Sequence, residues 1–191
     1  MIERMLAALR ARERLEFDRI VVGRLDPAIV SILCARQIPI HTIKIHLTSR
    51  GLSHLARSSK RKRGAGLKDD DILAIPDYLA HPDAIFLERC EEKNHLLFCV
   101  KNGDRAIKIV VDTKGYEKRK IPLTLIKTAG YIRASDMKNS CFELVWGRGR
   151  YKGARENRHL SIMAACAPIG GTTDCFHLLS LPCFYYTTAA V

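Results

Sequence analysis

The stretch His95-Leu-Leu-Phe-Cys-Val-Lys-Asn-Gly-Asp-Arg-Ala-Ile-Lys-Ile-Val-Val-Asp112 decides the fold. Two apolar-rich runs flank Asn102-Gly103, the dipeptide that best supplies the two positive-φ positions of a tight hairpin turn. His95–Lys101 and Arg105–Asp112 are therefore antiparallel partners. Ala84–Arg89, just after the turn at His81-Pro-Asp83, precedes them as a third strand. Arg119–Ala129 follows as a fourth, with Pro122 pointing to an edge or a bulge near its start. Thr113–Lys118 reads as a basic loop. Ser135 or Asp136 caps a last helix through Trp146.

Upstream, the period changes from two to 3.6. Residues 1–16 are rich in Ala, Leu, Arg and Glu and favour a helix. Asp18–Gly23 reads as a short buried strand. Asp26-Pro27 caps and starts a helix that ends near Gln37. Ile43, Ile45 and Leu47 alternate with Lys44 and His46 in a half-exposed strand. Thr48 or Ser49 caps a basic helix that Gly64-Ala-Gly66 breaks, and Lys68–Ala80 forms a short helical pair around Pro76. Helices before an antiparallel meander make the expected class α+β: N-terminal helices followed by a curved four-stranded antiparallel sheet. The expected divisions are an N-terminal helix at 1–17, a domain at 18–147, and a basic linker and apolar tail at 148–191, for which a partner-binding or membrane-touching tail, a poorly ordered extension and sequence never selected as part of the domain are the three readings.

The basic helix carries the chemistry. At 100° per residue, Arg50, Arg57 and Arg61 lie within about 60° of His54, while Leu52, Leu55 and Ala56 lie on the far side. An imidazole among guanidinium groups suits phosphodiester cleavage: the histidine moves a proton near neutral pH, and the arginines bind phosphate and stabilise developing charge. The competing reading is a solvated basic face, or a simple phosphate patch at Lys60–Arg63.

The 191 residues carry a net charge of +12, which favours an anionic partner such as nucleic acid or a membrane surface. No run of 18 apolar residues is present, so no spanning helix is expected. The seven cysteines lack any C-x-x-C pair. Cys34, Cys99 and Cys141 read as small buried hydrophobes in a reducing compartment, without a disulfide framework or a zinc spacing. No metal and no cofactor is expected. Asp69-Asp-Asp71 reads as a set of helix-start dipole partners, and His95 as a hairpin-tip residue.

The segments Ile20-Val-Val-Gly-Arg-Leu-Asp-Pro27, Ile45-His-Leu-Thr-Ser-Arg-Gly-Leu-Ser-His-Leu-Ala-Arg-Ser-Ser-Lys60, Ile75-Pro-Asp-Tyr-Leu-Ala-His-Pro82 and Ile126-Lys-Thr-Ala-Gly-Tyr131, with three strands before the last, form one pattern. It resembles the phage-type branch of the barnase–EndoU–colicin–RelE nuclease superfamily, domains of phage and prophage proteins often attached to minor head proteins of Mu-like phages. The resemblance implies a nuclease-like domain at 18–147, with the barnase/EndoU/colicin/RelE-like four-stranded sheet and metal-independent endoribonuclease activity, toxin-like in some settings. It further implies an RNA partner, an immunity protein or phage head proteins, and a place in the host cytoplasm or the virion. Its matching positions are His54, Arg57, Lys60, Lys127 and Thr128.

The expected catalytic set is His54, Arg57, Thr128 and His46. His46 is a second imidazole on the polar side of its strand, and Thr128 a donor to a non-bridging phosphate oxygen. The expected RNA-binding set is Arg50, Lys60, Arg61, Lys108, Lys127 and Tyr131. Lys108 points into a cleft or into water between Ile107 and Ile109, and Tyr131 stacks on a base or covers the core edge. The alternatives are a non-catalytic nucleic-acid-binding module and a structural phage head-associated protein.

Overall fold

The computed structural model describes residues 1–13, 18–89, 94–103, 105–117, 120–133, 136 and 141–148. The chain divides into two units, Met1–Glu156 and Asn157–Val191. The expected linker and tail, beyond Arg148, lie outside the described residues. No helix among those described is long and apolar enough to cross a membrane.

The elements run α1 (Ile2–Ala11), β1 (Arg19–Arg24), α2 (Pro27–Ala35), β2 (Lys44–Thr48), α3 (Ser49–Leu55), α4 (Ser58–Lys62), α5 (Asp69–Leu73), α6 (Ile75–Ala80), β3 (Ala84–Glu88), β4 (His95–Asn102), β5 (Arg105–Glu117), β6 (Ile121–Arg133) and β7 (Phe142–Gly147). The strands form one sheet in the order β1-β2-β6-β5-β4-β3-β7. Every neighbouring pair is antiparallel except β2 with β6, which is parallel.

This corrects the expected four-stranded antiparallel sheet: the fold is a mixed α/β arrangement on seven strands. The meander β3–β6 is present, with Asn102 opposite Arg105 across the hairpin and Gly103 at φ 60°. Three further strands join it. β1 and β2 attach along β6 through the pairs Ile45↔Thr124 and His46↔Leu125. β7 replaces the second half of the expected last helix and pairs with β3; the first half falls largely outside the described residues. The expected loop after Asp112 is instead the continuation of β5 to Glu117, matched by β6.

One face of the sheet carries the main core. Ile85 and Leu87, Leu96 and Phe98, Ile107, Ile109 and Val111, and Ile126 and Ala129 pack there against buried residues of the helices. α1 contributes Ile2, Met5 and Leu6, each worth about 1.5–3 kcal/mol when fully removed from water. The opposite face, here called outer, carries a smaller cluster of Ala84, Phe86, Leu97, Cys99 and Val110. Cys99 is buried and its thiol is pushed up to about 12 by that burial. Cys34 is exposed rather than buried. Cys141 is half-buried and disulfide-bonded, which corrects the reading of it as a small buried hydrophobe and the expectation of a chain without disulfides.

β6 is irregular opposite Val110 and Val111. Val110 pairs with Thr128 and Val111 with Ile126, so Lys127 is an extra residue on β6. Such a bulge lets two consecutive residues leave the core side. Ile126 and Ala129, three apart, both face the main core.

Beyond Leu125, β2 no longer pairs with β6, and residues 60–66 run along the freed edge. The Tyr131 amide donates to the Ala65 carbonyl at 3.1 Å. A Cβ on Gly130 would sit 2.3 Å from that same carbonyl oxygen, closer than any packed contact allows. Gly130→Ala is therefore expected to lower stability by about 1–3 kcal/mol, the usual cost of overpacking, read by urea denaturation. An unchanged midpoint would show that residues 60–66 are not seated on this strand.

Candidate functional site

The site forms where β2 leaves the sheet. Thr48 caps α3, its hydroxyl accepting from the Gly51 amide at 3.0 Å. Leu52 and Leu55 enter the core, which turns His54 outward as the helical period requires. α3 ends at Leu55, and α4 begins at Ser58 after Arg57, whose backbone is extended (φ −61°, ψ 128°). The single basic helix expected from sequence is thus two short helices with a corner at Ala56-Arg57.

The corner brings α4 to the free edge of β6. Lys60 Nζ donates to Thr128 Oγ1 at 2.6 Å and approaches the Ala129 carbonyl at 3.5 Å. Partial burial holds the His54 imidazole below its ordinary range, and the nearby charges of Lys60 and Arg57 hold it lower still. Lys60 is likewise lowered, first by burial and then by Arg57 and Arg63. So His54, Arg57, Lys60 and Thr128 share one neighbourhood, built from α3, the corner, α4 and the bulged segment of β6. It contains an imidazole whose surroundings favour its neutral form, a fixed guanidinium, and an ammonium held on a hydroxyl.

The other expected site residues go elsewhere. Ile45 and Leu47 face the main core, so His46, between them, points to the outer face. It is buried, and its Nδ1 donates to the Thr124 carbonyl at 3.3 Å. Arg61 ion-pairs with Asp69 and donates to the Leu67 carbonyl at 3.1 Å. Arg10 reaches the same carboxylate oxygen of Asp69 at 2.7 Å. These two arginines hold the Asp69 carboxyl below the usual carboxylate range, the Arg10 hydrogen bond contributing most and burial opposing. Tyr131 packs on the main core and donates its hydroxyl to Asp71. Tyr78 donates to the other oxygen of Asp71 at 3.0 Å. Burial, reinforced by Asp71, pushes the Tyr78 phenol up to about 12 and raises Tyr131 as well. Lys108 lies 5.7 Å above the Phe142 ring. Arg50 is exposed at the start of α3.

Lys127 belongs to an outer-face row that the sequence reading did not assemble. Glu88, His95 and Asp112 are direct cross-strand neighbours on β3, β4 and β5. His95 Nδ1 donates to Glu88 Oε2 at 2.9 Å, and Lys127 Nζ donates to His95 Nε2 at 3.2 Å. Asp112 Oδ2 lies 3.8 Å from both His95 Nε2 and Lys127 Nζ. The signal was strand parity. Each of the three strand residues is adjacent to a core residue, Leu87, Leu96 or Val111, and so shares the outer face. Among the described residues, no group of three or more His, Cys, Asp or Glu side chains is placed to hold a metal ion.

The Arg61–Asp69 pair is partly exposed, so its worth is modest. A double-mutant cycle of Arg61→Ala and Asp69→Asn is expected to return a coupling of about 0.5–1 kcal/mol by thermal or chemical unfolding. Zero coupling would release Arg61 from its carboxylate and return it to the solvent-facing basic set.

Set against known proteins, the chain matches no protein-family model, no curated protein and no solved structure.

Proposed function

We propose that this chain is a metal-independent endoribonuclease of the phage or prophage type, cleaving RNA by attack of the ribose 2′-hydroxyl. The observation that carries the reading is the Lys60–Thr128 contact, which brings α4 to the edge of β6, with His54 near enough to Lys60 and Arg57 for their charges to lower its pKa. The two stretches that meet there, 45–60 and 126–131, are two of those on which the resemblance to the phage-type nuclease branch rests.

The chemistry assigns one role to each group. Neutral His54 takes the proton of the 2′-hydroxyl as general base. The 2′-oxygen bonds to the adjacent phosphorus. Arg57 stabilises charge on the non-bridging oxygens of the phosphorane. Thr128 fixes the Lys60 ammonium, which protonates the departing 5′-oxygen as the P–O5′ bond breaks. The products are a 2′,3′-cyclic phosphate and a 5′-hydroxyl. A deoxyribose at the cleavage position removes the nucleophile, so DNA is spared.

His54→Ala is expected to lower single-turnover cleavage by about 10²–10⁴-fold, in excess chelator as in its absence, with an unchanged thermal melt and unchanged RNA affinity. Wild-type cleavage by this variant would remove His54 from the reaction. Absence of RNA cleavage by the wild-type chain, with salt-dependent binding retained, would favour the non-catalytic nucleic-acid-binding reading.

The two lowered groups also set a pH profile. A base must be unprotonated to act, so the acid limb of kcat/KM falls below the imidazole's ordinary value of about 6.5. An acid must be protonated, so the alkaline limb falls below the ordinary lysine value of about 10.4. Arg57→Ala removes a repelling charge from both groups and is expected to move both limbs upward. A rate–pH profile of this variant with neither limb moved would separate Arg57 from both groups.

A further inference from the structure

A second concave site lies elsewhere on the fold. A cleft of about 540 Å³ opens between the start of α2, the end of α6 and strands β3, β4 and β7. That volume falls in the range that takes small organic ligands. The cleft is not part of the His54 site, whose residues do not line it. β1 separates the two: its first residue, Arg19, pairs with Thr48 at the start of α3, while its last, Arg24, lines the cleft.

Its lining is chemically divided. Leu25, Ile85 and Phe98 are buried and make apolar walls. Trp146, the chain's one tryptophan, is half-buried and presents an aromatic surface. The Arg148 guanidinium stands over that ring, 6.0 Å from its centre. Arg24 and Arg148 are exposed lining residues. No ion pair is formed by either among the described residues, in contrast to Arg10, Arg19, Arg36, Arg61 and Arg89, which all meet a carboxylate. Asp26 is the single acidic residue in the lining. Its Oδ1 accepts from the Ala28 amide at 2.8 Å, and its other oxygen has capacity for a ligand donor.

We propose that this cleft is a binding site for a nucleoside monophosphate. An aromatic wall suits a base, two arginines without carboxylate partners among the described residues suit a phosphate, and the remaining Asp26 oxygen suits ribose hydroxyls or an exocyclic amine. An aliphatic acid would fill the apolar walls and meet the arginines, but it has no hydroxyl or amine to donate to Asp26. The inference is independent of the ribonuclease reading, since it uses none of those residues.

The test uses the full chain and adenosine 5′-monophosphate, followed by Trp146 emission and by equilibrium dialysis. Saturable binding with Kd below about 1 mM is expected, at least ten-fold tighter than adenosine or inorganic phosphate alone. Arg24→Ala and Arg148→Ala, both at exposed positions, are each expected to weaken it roughly ten-fold. Arg57→Ala, in the other site, is expected to leave it unchanged. No saturable binding, equal binding of octanoate, or wild-type affinity in both arginine variants would each overturn the assignment. A loss of binding in Arg57→Ala would place the nucleotide at the β6 edge and overturn it too. Cleavage of RNA is not read in this experiment, so its failure and failure of the nuclease reading are distinguishable.

Discussion

Two residue pairs, Ile45↔Thr124 and His46↔Leu125, are the only parallel contact among the described residues of the sheet, and the remaining architecture turns on how short that contact is. It is long enough to weld the β1–β2 ribbon to the meander. It is also short enough that β6 runs on for eight residues, Ile126–Arg133, without a strand on that side among the described residues. A bare strand edge leaves amides and carbonyls to be satisfied. Residues 60–66 supply partners through the Ala65 carbonyl and Lys60. The basic segment is therefore held against the sheet by a backbone hydrogen bond from Tyr131 together with the Lys60 ammonium on Thr128 and Ala129.

The basic residues fall into two populations once the carboxylates are placed. Arg19 with Glu117, Arg36 and Arg89 with Glu143, and Arg10 and Arg61 with Asp69 tie distant parts of the chain together. Arg57 and Lys62 make no ion pair among the described residues, and the net charge of +12 is expressed through positions of this kind. Within one short run, then, Arg57 and Lys60 face the candidate site, while Arg61 closes a structural bridge one residue later. A count of positive charge along the segment cannot separate these roles; the position of Asp69 does.

What the sequence made legible is what local rules govern. The Asn102-Gly103 hairpin, the Asp26-Pro27 helix start and the Thr48 cap follow from turn and capping chemistry and are all present. The outward position of His54 follows from Leu52 and Leu55. What stayed hidden depends on partners far away in the chain. Phe142–Gly147 is a strand because β3 offers it an edge, and no local pattern shows that. The corner at Ala56-Arg57 carries neither proline nor glycine, so the helical period passes through it unmarked. Tyr131 looked free to stack because its partner, Asp71, lies 60 residues earlier and is one of three adjacent acids that read equally well as dipole partners.

The bulge at Lys127 joins the two polar systems on either side of β6. In a regular strand, with Ile126 facing the core, Lys127 would face out and Thr128 would face in, placing a hydroxyl where Ala129 now packs. The extra residue removes that conflict. Lys127 reaches outward to His95 and Asp112, Thr128 receives the Lys60 ammonium at the edge, and Ala129 returns to the core. The geometry of the Lys60–Thr128 contact and the outer row Glu88–His95–Asp112–Lys127 thus rest on a single backbone irregularity. Shifting the register at that point would move both together, which makes the bulge, and not any one side chain, the element that sets the candidate site against the sheet.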